Sequence, residues 1–202
     1  MTNRDSSYML GSVGNGHATL TVSNVTLSAN SAYQGGGINN EGTVSLNNST
    51  LSGNSASTYG GGIDNYVGIA TLNSSTLSGN SAGHNGGGIA NSGTARLNNS
   101  TLSSNSASVF GGGIYNDSLG TVALFISTLS GNSAYEGGGI ENNGRATLNN
   151  STLSSNSAKQ QGGGIYNSSD ASLWNVTLSN NSATTGGALF TVGVKGDAAK
   201  AK

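Results

Sequence analysis

The stretch Thr43-Val-Ser-Leu-Asn-Asn-Ser-Thr-Leu-Ser-Gly-Asn-Ser-Ala56, followed by Gly60-Gly-Gly-Ile63, decides the fold. Its Thr-Leu-Ser-x-Asn-Ser-Ala segment recurs seven times. Each copy is followed by Gly-Gly-Gly-Ile or, in the last, Gly-Gly-Ala-Leu, with the apolar residue six or seven positions after the Ala. The Leu of the motif falls at 27, 51, 77, 102, 129, 153 and 178, so the period is 24 to 27 residues. A unit of that size cannot bury its own apolar side, and stacking on its neighbours is the remedy; the period predicts a solenoid with one coil per repeat.

Within one coil, Val44 and Leu46 alternate with polar residues as a half-buried strand requires. Leu46 and Leu51 are an odd number apart, so a corner at Asn47-Asn48 is needed to turn both inward; Asn tolerates the left-handed backbone of such a bend. A second corner is expected at Asn54, and Gly61-Gly62-Ile63 supplies a third strand. The reading is an all-β, single-stranded parallel β-helix with three strands per coil and about seven coils. Neighbouring coils about 4.8 Å apart give a stack of about 34 Å.

Three inward ladders follow. One is Val22, Leu46, Leu72, Leu97, Leu124, Leu148, Leu173; the second is the motif Leu; the third is Val13, Ile38, Ile63, Ile89, Ile114, Ile140, Ile165, Leu189. Two Asn ladders mark corners: Asn30, Asn54, Asn80, Asn105, Asn132, Asn156, Asn181, and Asn15, Asn40, Asn65, Asn91, Asn116, Asn142, Asn167. Their amides are expected to satisfy backbone groups and each other. Gly36 and its equivalents are expected where a Cβ would crowd the core, while Gly37 is expected to face outward, since Ala188 replaces it in the last repeat.

Composition narrows the function classes. The 202 residues carry a net charge of −1, with only 7% charged, and three of the seven Lys/Arg (Lys195, Lys200, Lys202) lie in the last eight residues. A body without a basic patch argues against nucleic acid as a partner. There is no Cys, so thiolate metal sites and disulfides do not arise, and there is no Pro. No run of 18 apolar residues occurs, so no membrane insertion is expected. The domain reading is an N-terminal segment 1–12, a repeat domain 13–193 and a polar Lys-rich tail 194–202. Neither end resembles a capping helix, which raises the expectation of end-to-end stacking through Leu10 and Val192.

The paired motifs Gly-Gly-Gly-Ile and Leu-x-x-Asn resemble the repeats of chlamydial polymorphic outer-membrane proteins and the parallel β-helix repeats of large bacterial surface proteins. The resemblance implies a right-handed, pectin-lyase-like helix in an extracellular or cell-surface protein, often adhesive. Leu27 and its equivalents stand where those repeats carry Phe.

Chemistry is sparse. Pectin-lyase-like enzymes use clustered carboxylates with an Arg or Lys, and the candidates here are Asp64, Arg96, Asp117, Glu136, Glu141 and Arg145. Asp64 and Glu141 share a column but stand three coils apart, about 14 Å. Paired carboxylates in glycoside hydrolysis need roughly 5 to 10 Å. The chain therefore reads as no enzyme, and His17 and His84 are too isolated to hold zinc, so no cofactor is expected. Loop length varies only between the second Asn ladder and the next coil, which makes Tyr66, Val67, Asp117 and Leu119 candidate contacts. Tyr115, Tyr166 and Phe190 share an outward column, and such aromatics can stack on surface glycans. The sequons at Asn24, Asn48, Asn99, Asn150 and Asn175 read as a product of the repeat. The most regular exposed feature is the array Thr26, Thr50, Thr76, Thr101, Thr128, Thr152, Thr177 beside Ser28, Ser52, Ser78, Ser103, Ser130, Ser154, Ser179. It resembles the Thr-x-Thr faces of β-helical ice-binding proteins, although one column lacks methyl groups. The reading is a non-catalytic extracellular structural or adhesive module, with ice binding as the alternative and carbohydrate binding or pectin-lyase-like activity as a further one.

Overall fold

The computed structural model describes residues 18–193, and these form a parallel β-solenoid of about seven coils. Val13, Asn15, His17 and Leu10, together with both terminal segments, lie outside the described residues. All 27 strands pair in parallel with their counterparts one coil away. Pairing is in strict register: Leu51 partners Leu77, Leu77 partners Leu102, and Leu102 partners Leu129.

The first six coils have four strands each rather than the expected three, and the seventh has three. In the second coil these are Thr43–Asn47, Thr50–Ser52, Ser55–Ala56 and Ile63–Asn65. The additional strand is the two-residue Ser-Ala step, in which Ser55 faces solvent and Ala56 faces the core. Two residues are too few to display a period of two in sequence, yet their ladder Ala56, Ala82, Ala107, Ala134, Ala158 is buried in every coil from the second to the sixth.

The corners use the left-handed backbone. The first is at Asn24, Asn48, Ser74, Asn99, Ile126, Asn150 and Asn175, all with φ from 47° to 58°, so every Asn of the sequons sits at this corner. The second corner lies one residue earlier than expected, at Ala29, Gly53, Gly79, Ser104, Gly131, Ser155 and Asn180. This shift leaves Asn54, Asn80, Asn105, Asn132 and Asn156 pointing inward and fully buried.

The three inward aliphatic ladders form one continuous core. Burying each Leu or Ile contributes about 1.5 to 3 kcal/mol before entropy is subtracted. The first glycine of the row behaves as expected: a Cβ on Gly36 would lie 2.5 Å from the Gly61 carbonyl oxygen of the next coil. Gly37 does not face outward. Its Cβ would meet the Gly62 carbonyl at 2.7 Å and the Leu51 side chain at 3.2 Å, so it points into the stack. Ala188 fits because no described coil follows it to present that carbonyl.

Candidate functional site

Buried polar chemistry in this protein is structural. Asn54 donates from its backbone N–H and from Nδ2 to Asn80 Oδ1, at 2.9 and 3.0 Å, and its Nδ2 also reaches the Leu27 carbonyl at 3.0 Å. The second ladder works alike: Asn65 Nδ2 donates to Asn91 Oδ1 at 2.6 Å and to the carbonyls of Gly68 and Thr94. A third ladder, Ser49, Ser75, Ser100, Ser127, Ser151, had not been read from the sequence. The backbone N–H of Ser49 donates to Ser75 Oγ at 3.1 Å, and the Ser75 hydroxyl in turn donates to the Asn73 carbonyl at 2.9 Å. Its signal was an unbroken Ser column immediately after the corner, replaced only at the ends by Val25 and Val176.

Candidate surfaces remain on the four outer faces. The Thr/Ser array occupies the second sheet as expected, in register from Thr26 to Thr177 and from Ser28 to Ser179. The Thr and Ser of the five inner coils are half-buried.

The fourth sheet differs. Its outward column runs Asn39, Asp64, Ala90, Tyr115, Glu141, Tyr166, Phe190, and Asp64, Ala90 and Glu141 are buried. The cover is the loop before the glycines, which builds its own bridge column Tyr59, Asn85, Phe110, Glu136. Phe110 stacks on Tyr115 at 6.2 Å and Phe190 on Tyr166 at 5.3 Å. The two tyrosines expected as open contacts are thus half-covered, and they flank Glu141 on either side. Burial, then the charge of Glu136, raises the Glu141 carboxyl to about 8, against a hydrogen bond to Asn143; one of its oxygens is buried without a partner. Burial, then the charge of Glu41, raises Asp64 to about 6. Burial, followed by the Asp117 charge, also raises Tyr115, and burial, followed by Glu141, raises Tyr166.

The candidate loop residues Tyr66 and Asp117 occupy the same edge column two coils apart. Tyr66 and Leu119 are exposed, whereas Asp117 is half-buried and accepts a hydrogen bond from the Ser92 hydroxyl at 3.1 Å. His84 packs edge-on against Tyr59. Arg145 pairs at 3.9 Å with Asp170 on the first sheet, both side chains being exposed. Among the described residues no group of three or more His, Asp or Glu is placed to hold a metal ion.

A further feature was legible only as an irregularity. The last outward column of the first sheet reads Ser23, Asn47, Asn73, Asn98, Phe125, Asn149, Trp174. Phe125 and Trp174 are exposed, and so is the neighbouring Ile126.

No curated protein and no solved structure matches the chain. Three segments, residues 99–117, 150–168 and 175–192, each running from a first corner through the glycine strand of the same coil, match the Chlamydia polymorphic membrane protein repeat.

Proposed function

We propose that the chain is an extracellular or cell-surface β-helix module with a structural and adhesive role and no catalytic one. The observation that carries this reading is the division of labour within the coil. Buried Asn and Ser are consumed in bonding one coil to the next, from Asn30 to Asn181 and from Ser49 to Ser151. Inside, the first-sheet column that begins Leu20, Val44, Ala70 varies only among apolar residues, whereas changes of polarity and loop length fall on outer faces and loops, where recognition resides. The likeness of three coils to a membrane-protein repeat supports a surface location. Asp64 and Glu141, three coils apart, stand too far from each other for paired-carboxylate hydrolysis.

Adhesion is tested with chain-coated beads on intact cells. Retention against washing, competed by soluble chain, is expected; retention no greater than that of albumin-coated beads overturns the adhesive role. Stacking of copies end to end is part of the proposal, because Leu173 and Leu189 of the last described coil are exposed. Light scattering should then show elongated species that disappear in Val192→Lys. A monomer at every concentration removes stacking from the proposal.

The second reading, ice binding, is favoured by one observation, the unbroken register of the Thr/Ser columns across seven coils. Thermal hysteresis abolished by Thr101→Tyr would support it. Absence of hysteresis and crystal shaping in the unmodified chain would remove it.

A further inference from the structure

In a repeat this uniform, a departure from a column is informative. Where the last outward column of the first sheet is regular, its amides bond to each other: Asn73 Nδ2 donates to Asn47 Oδ1 at 2.9 Å, and Asn98 Nδ2 to Asn73 Oδ1 at 2.8 Å. Phe125 ends that ladder. Asn149, lying between Phe125 and Trp174, is left with an Oδ1 that is buried without a partner. The chain thus forgoes polar bonds at these positions and exposes aromatic rings instead. Trp174, the single tryptophan, is 76% exposed, although aromatic surface of that size is ordinarily withdrawn from water.

The adjacent corner departs in the same coil. Asn or Ser occupies it at Asn24, Asn48, Ser74, Asn99, Asn150 and Asn175, but the fifth coil places Ile126 there, with φ of 51° and 65% exposed. A β-branched side chain in the left-handed region is strained, and strain of this kind concentrates at functional sites. Phe125, Ile126 and Trp174 thus form an apolar ridge along one edge of a shallow face. The middle of that face is Ala123, Thr147 and Ser172.

We propose that this face of the fifth to seventh coils binds an extended β-linked polysaccharide, with Phe125 and Trp174 stacking on alternate sugar rings and Asn149 Nδ2 donating to the ring between them. Two coils separate the aromatics, about 10 Å, close to the disaccharide step of an extended cellulose- or chitin-type chain. The ridge matches the faces of such sugars, which alternate apolar ring surfaces with hydroxyls, and Asn149, Thr147 and Ser172 provide donors and acceptors. A protein partner fits less well, since three partly exposed side chains fall far short of the ~800 Å² per partner of a stable interface. This inference rests on the adhesive reading and names the chemistry that the module adheres to.

The single tryptophan makes the test direct. Cellohexaose and chitohexaose are titrated into the intact chain while emission and acrylamide quenching of Trp174 are followed, with maltohexaose as the α-linked control. A saturable blue shift with reduced quenching, given by at least one β-linked hexaose and not by maltohexaose, is expected. Phe125→Asn should weaken that binding about tenfold, as expected for one lost ring stack. The same change extends the amide ladder between Asn98 and Asn149, so its thermal midpoint should rise rather than fall. That separates lost binding from lost folding. Ile126→Asn should likewise weaken binding while stabilising the corner. No spectral response to either β-linked sugar, an equal response to maltohexaose, or unchanged affinity in Phe125→Asn overturns the proposal. A blue shift that grows with protein concentration without sugar also overturns it, assigning the ridge to contacts between copies. Bead adhesion to cells with no sugar response would sink this site alone and leave the adhesive role standing, whereas failure of both removes both.

Discussion

The side-chain oxygen of Asn132 accepts two hydrogen bonds from Asn105, one from the backbone N–H and one from Nδ2, both at 3.0 Å. Asn132 Nδ2 in turn donates to the Leu102 carbonyl and to Asn156 Oδ1. One buried side chain therefore satisfies two backbone groups of the preceding coil and bonds the Asn side chain of the following one. Asn132→Ala should orphan the Asn105 N–H and the Leu102 carbonyl, and at about 1 to 3 kcal/mol for each buried group the loss should be about 3 kcal/mol or more. Asn99, by contrast, is exposed at a left-handed corner, so Asn99→Ala should cost only about 1 kcal/mol, from backbone strain. Urea denaturation of both variants checks the ranking; similar losses would contradict the inward assignment of the Asn132 ladder.

Core and surface separate at adjacent residues. Leu102 is fully buried in a middle coil while Thr101 is half-exposed on the outer face of the same strand. Leu102→Ala should cost about 2 to 5 kcal/mol, whereas Thr101→Ala should change stability by about 0.5 kcal/mol. Thermal unfolding of the two proteins distinguishes them.

The same contrast explains what the sequence discloses. The aliphatic and Asn ladders were legible because each position recurs once per coil, and stacking forces identical environments on identical residues. The Ser-Ala strand was hidden by its length. The covered face of the fourth sheet was hidden for another reason: strand alternation assigns Asp64 and Glu141 outward, and only the long-range bridge column from Tyr59 to Glu136 buries them. Tyr115 and Tyr166 were expected to be open on the same grounds. The array from Thr26 to Thr177 is where alternation placed it, because no loop crosses the second sheet. Phe125 and Trp174 could be seen only as exceptions within a column, and the column itself becomes certain only once the register is known.

The glycine row gives a prediction that depends on position in the stack. A Cβ on Gly113 would lie 2.6 Å from the Gly139 carbonyl oxygen of the next coil and 3.3 Å from the Asn132 side chain. Backbone cannot yield there without breaking the coil-to-coil pairing of Ile114 with Ile140. Gly113→Ala should therefore cost about 1 to 3 kcal/mol, the usual penalty of overpacking. Ala188 occupies the equivalent position in the last repeat, so Ala188→Gly should alter the thermal midpoint far less. Equal effects would mean that coils are spaced more loosely than the register implies.

The covered carboxyls predict an unusual dependence on pH. Glu141 is raised from 4.5 to about 8 and Asp64 from 3.8 to about 6, both chiefly by burial and then by a neighbouring carboxylate, Glu136 and Glu41 respectively. In the unfolded chain both groups ionise near their ordinary values, whereas the folded chain holds them protonated. Their favourable contribution is thus complete below about pH 4 and is lost as pH rises, through about 6 for Asp64 and about 8 for Glu141. The thermal midpoint should fall between pH 5 and pH 8, the opposite of a protein held together by ion pairs, with a total change on the order of a few kcal/mol. Tyr115 and Tyr166, which flank Glu141, are raised from 10 and stay neutral throughout this range. Glu141→Gln should abolish the slope above about pH 6, lessen it below and raise stability at pH 8, while Asp64→Asn should lessen only the slope below about pH 6. Differential scanning calorimetry across the range reads both effects, and a midpoint that climbs with pH in the unmodified chain would place these carboxyls in water rather than beneath the Tyr59 and Glu136 loops.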